Sequence, residues 1–267
     1  MAEFSTMDIS DLRKRTGAGI LDCRAALQAS DGDVEKAAQW LREQGIASAG
    51  KRADRERAEG AVAVVVDGSN GAIAALECET DFVAKSAEFV QLVDELAAEL
   101  AVGGEAALEP QRERIEKLAI VLKENIALGR TERFVAPAGS IVGSYLHIQN
   151  GRGVNAVLVE LTGDNHELAH DIAVHIAFAR PEYLRRQDVP DEVVTSERQT
   201  AETIARNEGK PEAALPKIIE GRLTGWFKEH CLLEQPYVRD EKKSIGDLLK
   251  ETGGVELARF AQVVVGS

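Results

Sequence analysis

The sequence lacks the features that mark several common classes of protein. Its three cysteines, Cys23, Cys78 and Cys231, are far apart and outside any CxxC spacing, which argues against a disulfide framework and a structural zinc site. It has no run of about 20 apolar residues, so we expect no membrane-spanning helix. No basic region followed by an apolar stretch opens the chain, so we expect no signal peptide and a reducing, cytoplasmic location.

Positively charged residues are also fewer than negatively charged ones. The 267 residues contain 32 lysines and arginines against 45 aspartates and glutamates, which gives a formal net charge of −13. An acidic chain argues against nucleic acid and against an anionic membrane surface as partners. The P-loop pattern GxxxxGK[ST] does not occur, so the chain is not expected to be a nucleotidase of that kind, and we expect no cofactor.

The first 50 residues contain three short helical patterns. Gly17-Ala18-Gly19 and Asp31-Gly32-Asp33 separate them, and Gly45 is predicted to end the third. The predicted helices cover residues 8–15, 21–29 and 34–44. A bundle of about 40 residues is marginal by itself, so we expect it to lean on the rest of the chain. It resembles the ubiquitin-associated type of three-helix module, and residues 51–58 follow as a charged linker or solvated helix.

Two later stretches of the chain look like copies of one unit, a β-hairpin followed by a helix. The predicted strands are 61–66 and 71–80 in the first copy, and 140–148 and 153–162 in the second. The predicted helices are 84–100 and 166–179, with a further helix at 110–126 between the copies. The matched positions are Gly71 with Gly153, Leu76 with Leu158, and Thr80 with Thr162. The repeat predicts two related α+β subdomains.

The second copy is interrupted by residues 191–229, which read as two helices around a tight turn. The predicted helices are 191–206 and 211–230, and their seam residues include Leu215, Ile219 and Leu223. This pattern predicts a protruding helical hairpin, and a hairpin folded back on its own core is the alternative. A helix at 244–251 and a strand at 256–265 then complete the second subdomain.

The predicted fold is therefore α+β, with an N-terminal three-helix module, two related hairpin-plus-helix subdomains and an inserted helical hairpin. The expected divisions are a partner-binding module at 1–50, a charged linker at 51–58, a first core subdomain at 59–139, a second at 140–190 with 230–267, and a helical arm at 191–229.

The most informative residues lie at a strand-to-helix junction, the run ETDFVAK at 79–85. Thr80 is the predicted N-cap, which puts Asp81 and Phe82 in the first helical turn. An acid and a large aromatic side by side at an edge indicate a wedge aimed at a partner, because phenylalanine does no acid–base chemistry. The alternative is an ordinary junction with Phe82 folded into the core, since apolar residues are usually buried.

Three motifs follow one another along the chain. They are RTGAGILDC at 15–23, ETDFVAK at 79–85, and NEGKP at 207–211 followed by EGR at 220–222. In this order and spacing the chain resembles bacterial elongation factor Ts, from about residue 8 to residue 265. The resemblance implies a guanine-nucleotide exchange factor that carries out no covalent chemistry. It would bind elongation factor Tu in the GDP-bound and nucleotide-free forms, the second more tightly, so that partner and nucleotide weaken each other's binding.

The resemblance also implies roles for individual residues. Those expected near the partner's magnesium and nucleotide site are Thr80, Asp81, Phe82 and Val83, with Lys85 shaping the same helix start. Those expected against the partner's nucleotide domain are Arg13, Ile20 and Leu21. His147 falls where the second subdomain would reach the partner's third domain, and the 191–229 arm could pair with another copy. The alternatives are that Ile20 or Leu21 is a core residue and that His147 is an ordinary surface histidine.

One literal HExxH motif, His166-Glu167-Leu168-Ala169-His170, suggests a zinc-dependent hydrolase with Glu167 as general base. Against it, His175 lies nine residues after His166, where the extended motif requires ten. The apolar face of the predicted helix is also turned away from His166 and Glu167. We therefore expect no metal site and no catalytic residue. A plain adaptor that uses the three-helix module is a third alternative.

Overall fold

The computed structural model describes residues 4–253 and 255–266, without the side chains of residues 46–51. It is a mixed structure of helices and sheets, and all paired strands named below are antiparallel, which is consistent with the predicted α+β class. Within the described residues, no helix combines the length and the apolar character that a membrane span requires.

The helices and strands are numbered here in chain order. The helices are α1 (Thr6–Thr16), α2 (Ile20–Ala29), α3 (Val34–Arg52), α4 (Asp81–Ala84), α5 (Ala87–Gly103), α6 (Gln111–Leu122), α7 (His166–Ala179), α8 (Asp191–Asn207), α9 (Leu215–His230) and α10 (Ile245–Glu251). The strands are β1 (Glu59–Asp67), β2 (Asn70–Cys78), β3 (Ala127–Val135), β4 (Ser140–Gln149), β5 (Arg152–Thr162), β6 (Pro236–Tyr237), β7 (Asp240–Ser244) and β8 (Leu257–Val264).

The N-terminal module is formed by α1, α2 and α3. Ser5 begins α1 through a capping box with Asp8, and Gly17 ends it in the left-handed conformation at φ +68°. The core of the module consists of Leu12, Cys23, Ala26, Leu27 and Ala37. This core is small, and the module also packs on α6, as described below.

The predicted end of the third helix at Gly45 is wrong, because α3 continues to Arg52. A β-carbon on Gly45 would lie 2.5 Å from Cγ2 of Ile120 in α6. Glycine is therefore present at this point because two helices approach each other closely there, and it does not break the helix.

The first sheet has the strand order β1-β2-β3, and α5 covers one of its faces. Strand β3 was not predicted, because its sequence ALGRTERFV mixes charged and apolar residues without a clear alternation. The predicted helix at 84–100 is wrong at its start. Lys85 and Ser86 separate α4 from α5, and Ser86 has the extended backbone of an N-cap (φ −66°, ψ 144°).

The second sheet has the order β4-β5-β8, with α7 on its outer face. The predicted hairpins, the helix at 166–179 and the last strand agree with β1, β2, β4, β5, α7 and β8 to within two residues. The short hairpin of β6 and β7 was not predicted, since strands of two and five residues leave little pattern to detect.

The two sheets pack face to face. Alternate residues of β1 and β2, such as Val62 and Ile73, meet Val142, Leu158 and Val263 of the other sheet in one core cluster. The outer faces are covered by α5 and α7, so the body has the order helix, sheet, sheet, helix. The described core is thus continuous from one sheet to the other.

Gly71 and Gly153, matched in the sequence repeat, both lie at this contact between the sheets. A β-carbon on Gly153 would be 2.1 Å from the backbone oxygen of Val62, and one on Gly71 would be 2.6 Å from Val142 Cγ1. At both positions a side chain would collide with the opposite sheet, so glycine allows the close approach.

The helical arm, α8 and α9, is held together by its own seam. Leu215, Ile219, Leu223 and Phe227 of α9 are buried, at the four-residue spacing of one helix face. Among the residues that the structure describes, the members of the cluster that contains them all come from residues 183–231. The arm helices therefore pack on each other and on the segment at their base, and the alternative of a hairpin folded onto the sheets is wrong.

A buried histidine fixes the base of the arm. His175 of α7 is fully buried, its Nε2 lies 2.9 Å from Oε1 of Gln235, and the backbone N–H of Val238 donates to its Nδ1. Because Nδ1 accepts, Nε2 carries the proton and the ring is neutral. The amide of Gln235 donates in turn to the backbone oxygen of Glu229 in α9, at 2.6 Å. Burial lowers the pKa of His175.

The burial of His175 predicts that the folded protein loses stability in mild acid. The pKa is lower in the folded chain than in the unfolded one, so the unfolded state takes up the proton first as the pH falls. The contribution of neutral His175 to the free energy of unfolding is complete above the histidine pKa of about 6.5 in the unfolded chain. It is lost as the pH drops toward the lower pKa of His175 in the folded chain. The urea midpoint should fall between about pH 7.5 and pH 5.5 in the wild type, and clearly less in His175→Gln.

The exposed His166 provides the matched control, since His166→Gln should keep the pH dependence of the wild type. Equal slopes of midpoint against pH in the wild type and in His175→Gln would show that another group is responsible.

Candidate functional site

The junction between β2 and α4 presents Phe82 to solvent. Thr80 has an extended backbone and caps α4, its hydroxyl accepting from the backbone N–H of Val83 at 3.4 Å. The side chain of Phe82 is 82% exposed, whereas Val83 and Ala84, which follow it, are buried in the first core. The alternative in which Phe82 folds into the core is therefore wrong.

The same turn divides the predicted site residues into two groups. Val83 is buried in the first core and only 9% exposed, so it offers a partner little area beside Phe82, and its expected contact stays a prediction. Asp81 is partly exposed, and its Oδ2 accepts from Lys85 Nζ at 2.5 Å. This hydrogen bond lowers the pKa of Asp81, so its carboxylate is charged at neutral pH. Asp81 and Phe82 together are called the wedge below.

The carboxylate of Glu124, which sequence reasoning missed, holds the turn before the wedge. Its Oε2 accepts from the backbone N–H groups of Glu79 and Thr80 at 3.0 and 3.1 Å, and its Oε1 accepts from the Thr80 hydroxyl at 2.5 Å. Glu124 follows α6, 44 residues after Thr80. Because Glu124 is so far from Thr80 in the sequence, no local pattern of residues indicated this contact.

The N-terminal module packs on the segment that leads to Glu124. We call residues 119–125, which are the last turn of α6 and the three residues after it, the α6–β3 corner. Lys123 of the corner pairs with Asp22 of α2 at 2.6 Å. A β-carbon on Gly17 would lie 3.2 Å from Val121, and Arg52 of α3 lies 3.5 Å from the Ala119 oxygen. The start of α2 and the wedge therefore flank one corner.

Two apolar side chains of the module point to solvent at this end. Ile20 is 56% and Leu21 is 79% exposed, at the first two positions of α2, and Arg13 of α1 is also exposed. The alternative that Ile20 or Leu21 belongs to the core is wrong. An isolated exposed leucine needs no explanation, but neighbouring apolar side chains at one helix start are typical of a contact surface.

His147 lies on a separate, partly apolar edge at the end of β4. It is exposed and stacks on Tyr145 at 6.4 Å between ring centroids. Ile148 beside it and Phe178 of α7 are 62% and 79% exposed. His147 pairs in the sheet with Asn155, whose side-chain amide donates to the oxygen of Ala177, so Phe178 lies near the same edge.

Ile148 and Phe178 were not predicted from the sequence. Phe178 had a detectable signal. It falls off the apolar stripe of Leu168, Ile172 and Ile176, all of which are buried.

The histidines of the HExxH motif do not converge on a metal. His166 is exposed and lies 3.3 Å from Asp164, while Nδ1 of His170 is 3.1 Å from the backbone oxygen of Ser144. The buried His175 faces Gln235. Among the described side chains, no group of three or more histidine, cysteine or acidic residues could hold a metal ion.

None of the cysteines has the character of a nucleophile. Cys23, Cys78 and Cys231 are all buried. Burial raises the pKa of Cys78 to about 12 and that of Cys231 to about 11, and it also raises the pKa of Cys23. The thiols are therefore protonated at neutral pH, and the thiolate is the reactive form.

Comparison with known proteins gives one family over the whole chain. The family model described as elongation factor TS matches residues 79–267, and one described as elongation factor Ts, mitochondrial, N-terminal matches residues 2–50. The chain is 44% identical over 278 residues to elongation factor Ts of Acidothermus cellulolyticus, covering 100% of the chain and 99% of the relative. It is 44% identical over 274 residues to that of Mycobacterium ulcerans, with the same coverage. It is 41% identical over 283 residues to that of Renibacterium salmoninarum, covering both chains completely.

Proposed function

The chain belongs to the elongation factor Ts family, and on that premise we propose that its wedge, Asp81 and Phe82, is the element that loosens GDP from elongation factor Tu. The family is the nucleotide exchange factor for elongation factor Tu, and this chain is such a factor. The observation that carries the proposal is the exposure of Phe82, 82%, on a turn whose next two residues are buried. An aromatic ring held outward by a fixed turn is suited to enter a partner.

The wedge would act on the partner's magnesium and nucleotide site. A magnesium ion that holds a diphosphate is the largest local charge in such a site, so displacing its ligands lowers the affinity for GDP. Phe82 supplies bulk and Asp81 supplies a charged carboxylate beside it. By linkage, an exchange protein that weakens GDP binding is itself bound less tightly by the GDP form of elongation factor Tu than by the nucleotide-free form. The ratio of affinities is the same for the two ligands.

Two further surfaces would supply affinity rather than nucleotide release. Arg13, Ile20 and Leu21 form the first, next to the wedge and across the α6–β3 corner. His147, with Ile148 and Phe178, forms the second, at the far end of the second sheet. Burial of exposed apolar side chains is the main favourable term in most protein associations, and both surfaces offer such side chains.

The two sheet-and-helix halves are proposed to be related copies, because Gly71 and Gly153, matched in the sequence repeat, both lie at the contact between the sheets. The N-terminal module is proposed to be of the ubiquitin-associated type, with the boundaries given by the sequence.

We infer that the factor carries out no covalent chemistry and uses elongation factor Tu, not nucleic acid or membrane, as its partner. As a translation factor it would work in the cytoplasm.

The test of this function is the release of labelled GDP from elongation factor Tu. Acceleration by substoichiometric amounts of the chain supports an exchange factor, because each molecule must act repeatedly. A plain adaptor would bind without acceleration. A zinc-dependent hydrolase would contain bound zinc and would not change the release rate. No acceleration at any concentration of the folded chain would refute the proposal.

The outer part of the arm is predicted to be separable from exchange. Its base packs on Tyr183 and Val189 and should be kept. Arg198 and Glu220 pair at 2.5 Å, so the two helices are close enough there for a short linker. Replacing residues 198–220 by a short glycine-serine loop should leave the rate of GDP release unchanged. The measurements are release kinetics, circular dichroism and, for self-association through the arm, sedimentation.

A shortened chain that keeps the circular dichroism spectrum of the wild type but no longer releases GDP would contradict this prediction.

A further inference from the structure

We propose that Glu124 is a positioning residue for nucleotide exchange, which acts by fixing the turn that presents Phe82. The inference rests on the proposed role of the wedge and adds to it a residue outside the ETDFVAK motif. Glu124 would touch neither the nucleotide nor the partner's magnesium. Its effect would be transmitted through Thr80 to the orientation of α4.

Three hydrogen bonds from consecutive residues converge on this one carboxylate. The donors are the backbone N–H of Glu79, the backbone N–H of Thr80 and the hydroxyl of Thr80. Hydrogen bonds to an ionised acceptor are shorter and stronger than those between neutral groups. Thr80 is therefore fixed by its main chain and its side chain together, and its hydroxyl also receives the N–H of Val83.

A helix as short as α4 needs such an anchor. It has four residues, and so short a helix is not stable by itself because forming the first turn is unfavourable. On its inner side, Val83 and Ala84 are fixed by burial in the first core. On its N-terminal side, Glu124 accepts from both backbone N–H groups of Glu79 and Thr80 and from the Thr80 hydroxyl. Without Glu124, Phe82 would remain exposed but would lose a defined direction.

The residues on either side of Glu124 are also held by hydrogen bonds and an ion pair. The backbone N–H of Asn125 donates to Glu79 Oε1 at 2.6 Å, and the Asn125 side chain donates to the backbone oxygens of Ala53 and Arg55 at 3.0 and 2.7 Å. Lys123, on the other side of Glu124, is left-handed at φ +60° and pairs with Asp22. The corner thus joins the chain after α3, the wedge turn and the N-terminal module, with Glu124 at the centre.

The experiment compares Glu124→Ala and Glu124→Gln with the wild type. The alanine variant removes both side-chain oxygens that accept these hydrogen bonds. The glutamine variant keeps one carbonyl oxygen for the two backbone N–H groups and an amide that can donate to the Thr80 hydroxyl. We expect Glu124→Ala to lower the plateau rate of GDP release at saturating factor by about tenfold or more, and Glu124→Gln by less than about threefold. The concentration that gives half the plateau should change little.

Two controls separate positioning from a general structural role. Glu116→Ala removes an exposed carboxylate from α6 and should leave the plateau unchanged. Hydrogen exchange of the Glu79 and Thr80 amides should speed up by about tenfold or more in Glu124→Ala, while amides of the β2 centre stay protected. If Glu124→Ala fails to fold, Glu124→Asp keeps the charge, draws the oxygens back from Thr80 and should lower the plateau.

A double-mutant cycle decides whether Glu124 acts through the wedge. In a Phe82→Ala background, Glu124→Ala should cause no further loss, because residues that act as one unit are not additive. A folded Glu124→Ala protein with the wild-type plateau would overturn the proposal, as would a full additional loss in the Phe82→Ala background. Absence of GDP release by the wild type would instead overturn the proposed function, and the amide exchange rates would still report on the contacts of Glu124.

Discussion

Replacing Phe82 by alanine is expected to remove most of the acceleration of GDP release while changing the free energy of unfolding by no more than about 0.5 kcal/mol. The side chain is 82% exposed and belongs to no core cluster of the described residues, so its loss creates no cavity. The release rate should fall because the aromatic ring is the bulk that would enter the partner's nucleotide site. The measurements are a urea denaturation curve and a GDP-release trace on the same preparation.

Phe89 offers a matched control in the next helix. It is fully buried in the first core, so Phe89→Ala should cost about 3–5 kcal/mol of stability, as large-to-small core substitutions do. Asp81→Ala should give a milder loss of release than Phe82→Ala, because it removes a charge and little volume. A Phe82→Ala protein that is as unstable as Phe89→Ala, yet releases GDP normally once folded, would overturn the assignment of the wedge.

The double substitution Ile20→Ala with Leu21→Ala is expected to weaken the complex with nucleotide-free elongation factor Tu by about 10- to 100-fold. Both side chains are exposed at the start of α2, so their removal should leave the module folded. The maximal rate of GDP release should be kept at high concentrations of the factor, since the wedge and its anchor Glu124 are untouched. Binding is measured by titration, and folding by thermal denaturation.

Met7 is the control for this pair. It is 73% exposed on α1 of the same module, and Met7→Ala should leave the affinity unchanged within about threefold. An unchanged affinity in the Ile20 and Leu21 double variant would show that the module contacts something other than this partner.

Local chemistry explains which parts of the fold could be predicted from the sequence. The helix at 166–179 has an N-cap at Asn165 and an apolar stripe, and the hairpins have alternating apolar residues around short turns, so these elements agree with the structure. Thr80 caps a helix as predicted because threonine before an acidic first turn is a local signal.

The missed features depend on contacts between distant segments. Gly45 was predicted to stop a helix, but it is a glycine because Ile120 packs against it, 75 residues along the chain. Strand β3 has little alternation of its own and is defined by pairing with β2. Glu124 belongs to the same class, because its three donors come from residues 79 and 80.

The candidate site was predictable in part for the same reason. The ETDFVAK run has a sequence signature, so Asp81 and Phe82 could be chosen before the structure was known. The structure then separates the predicted site residues by their burial, because Val83 lies in the core and Phe82 is exposed to solvent. Periodicity could not make that division, because a single turn of four residues is too short to show a face.

The most direct test of the wedge is the rate of GDP release from elongation factor Tu, measured against the concentration of the factor for the wild type and for Phe82→Ala. The account predicts that Phe82→Ala lowers the plateau of this curve, while the double substitution of Ile20 and Leu21 shifts its midpoint and keeps the plateau. A Phe82→Ala curve that reaches the wild-type plateau would contradict the account.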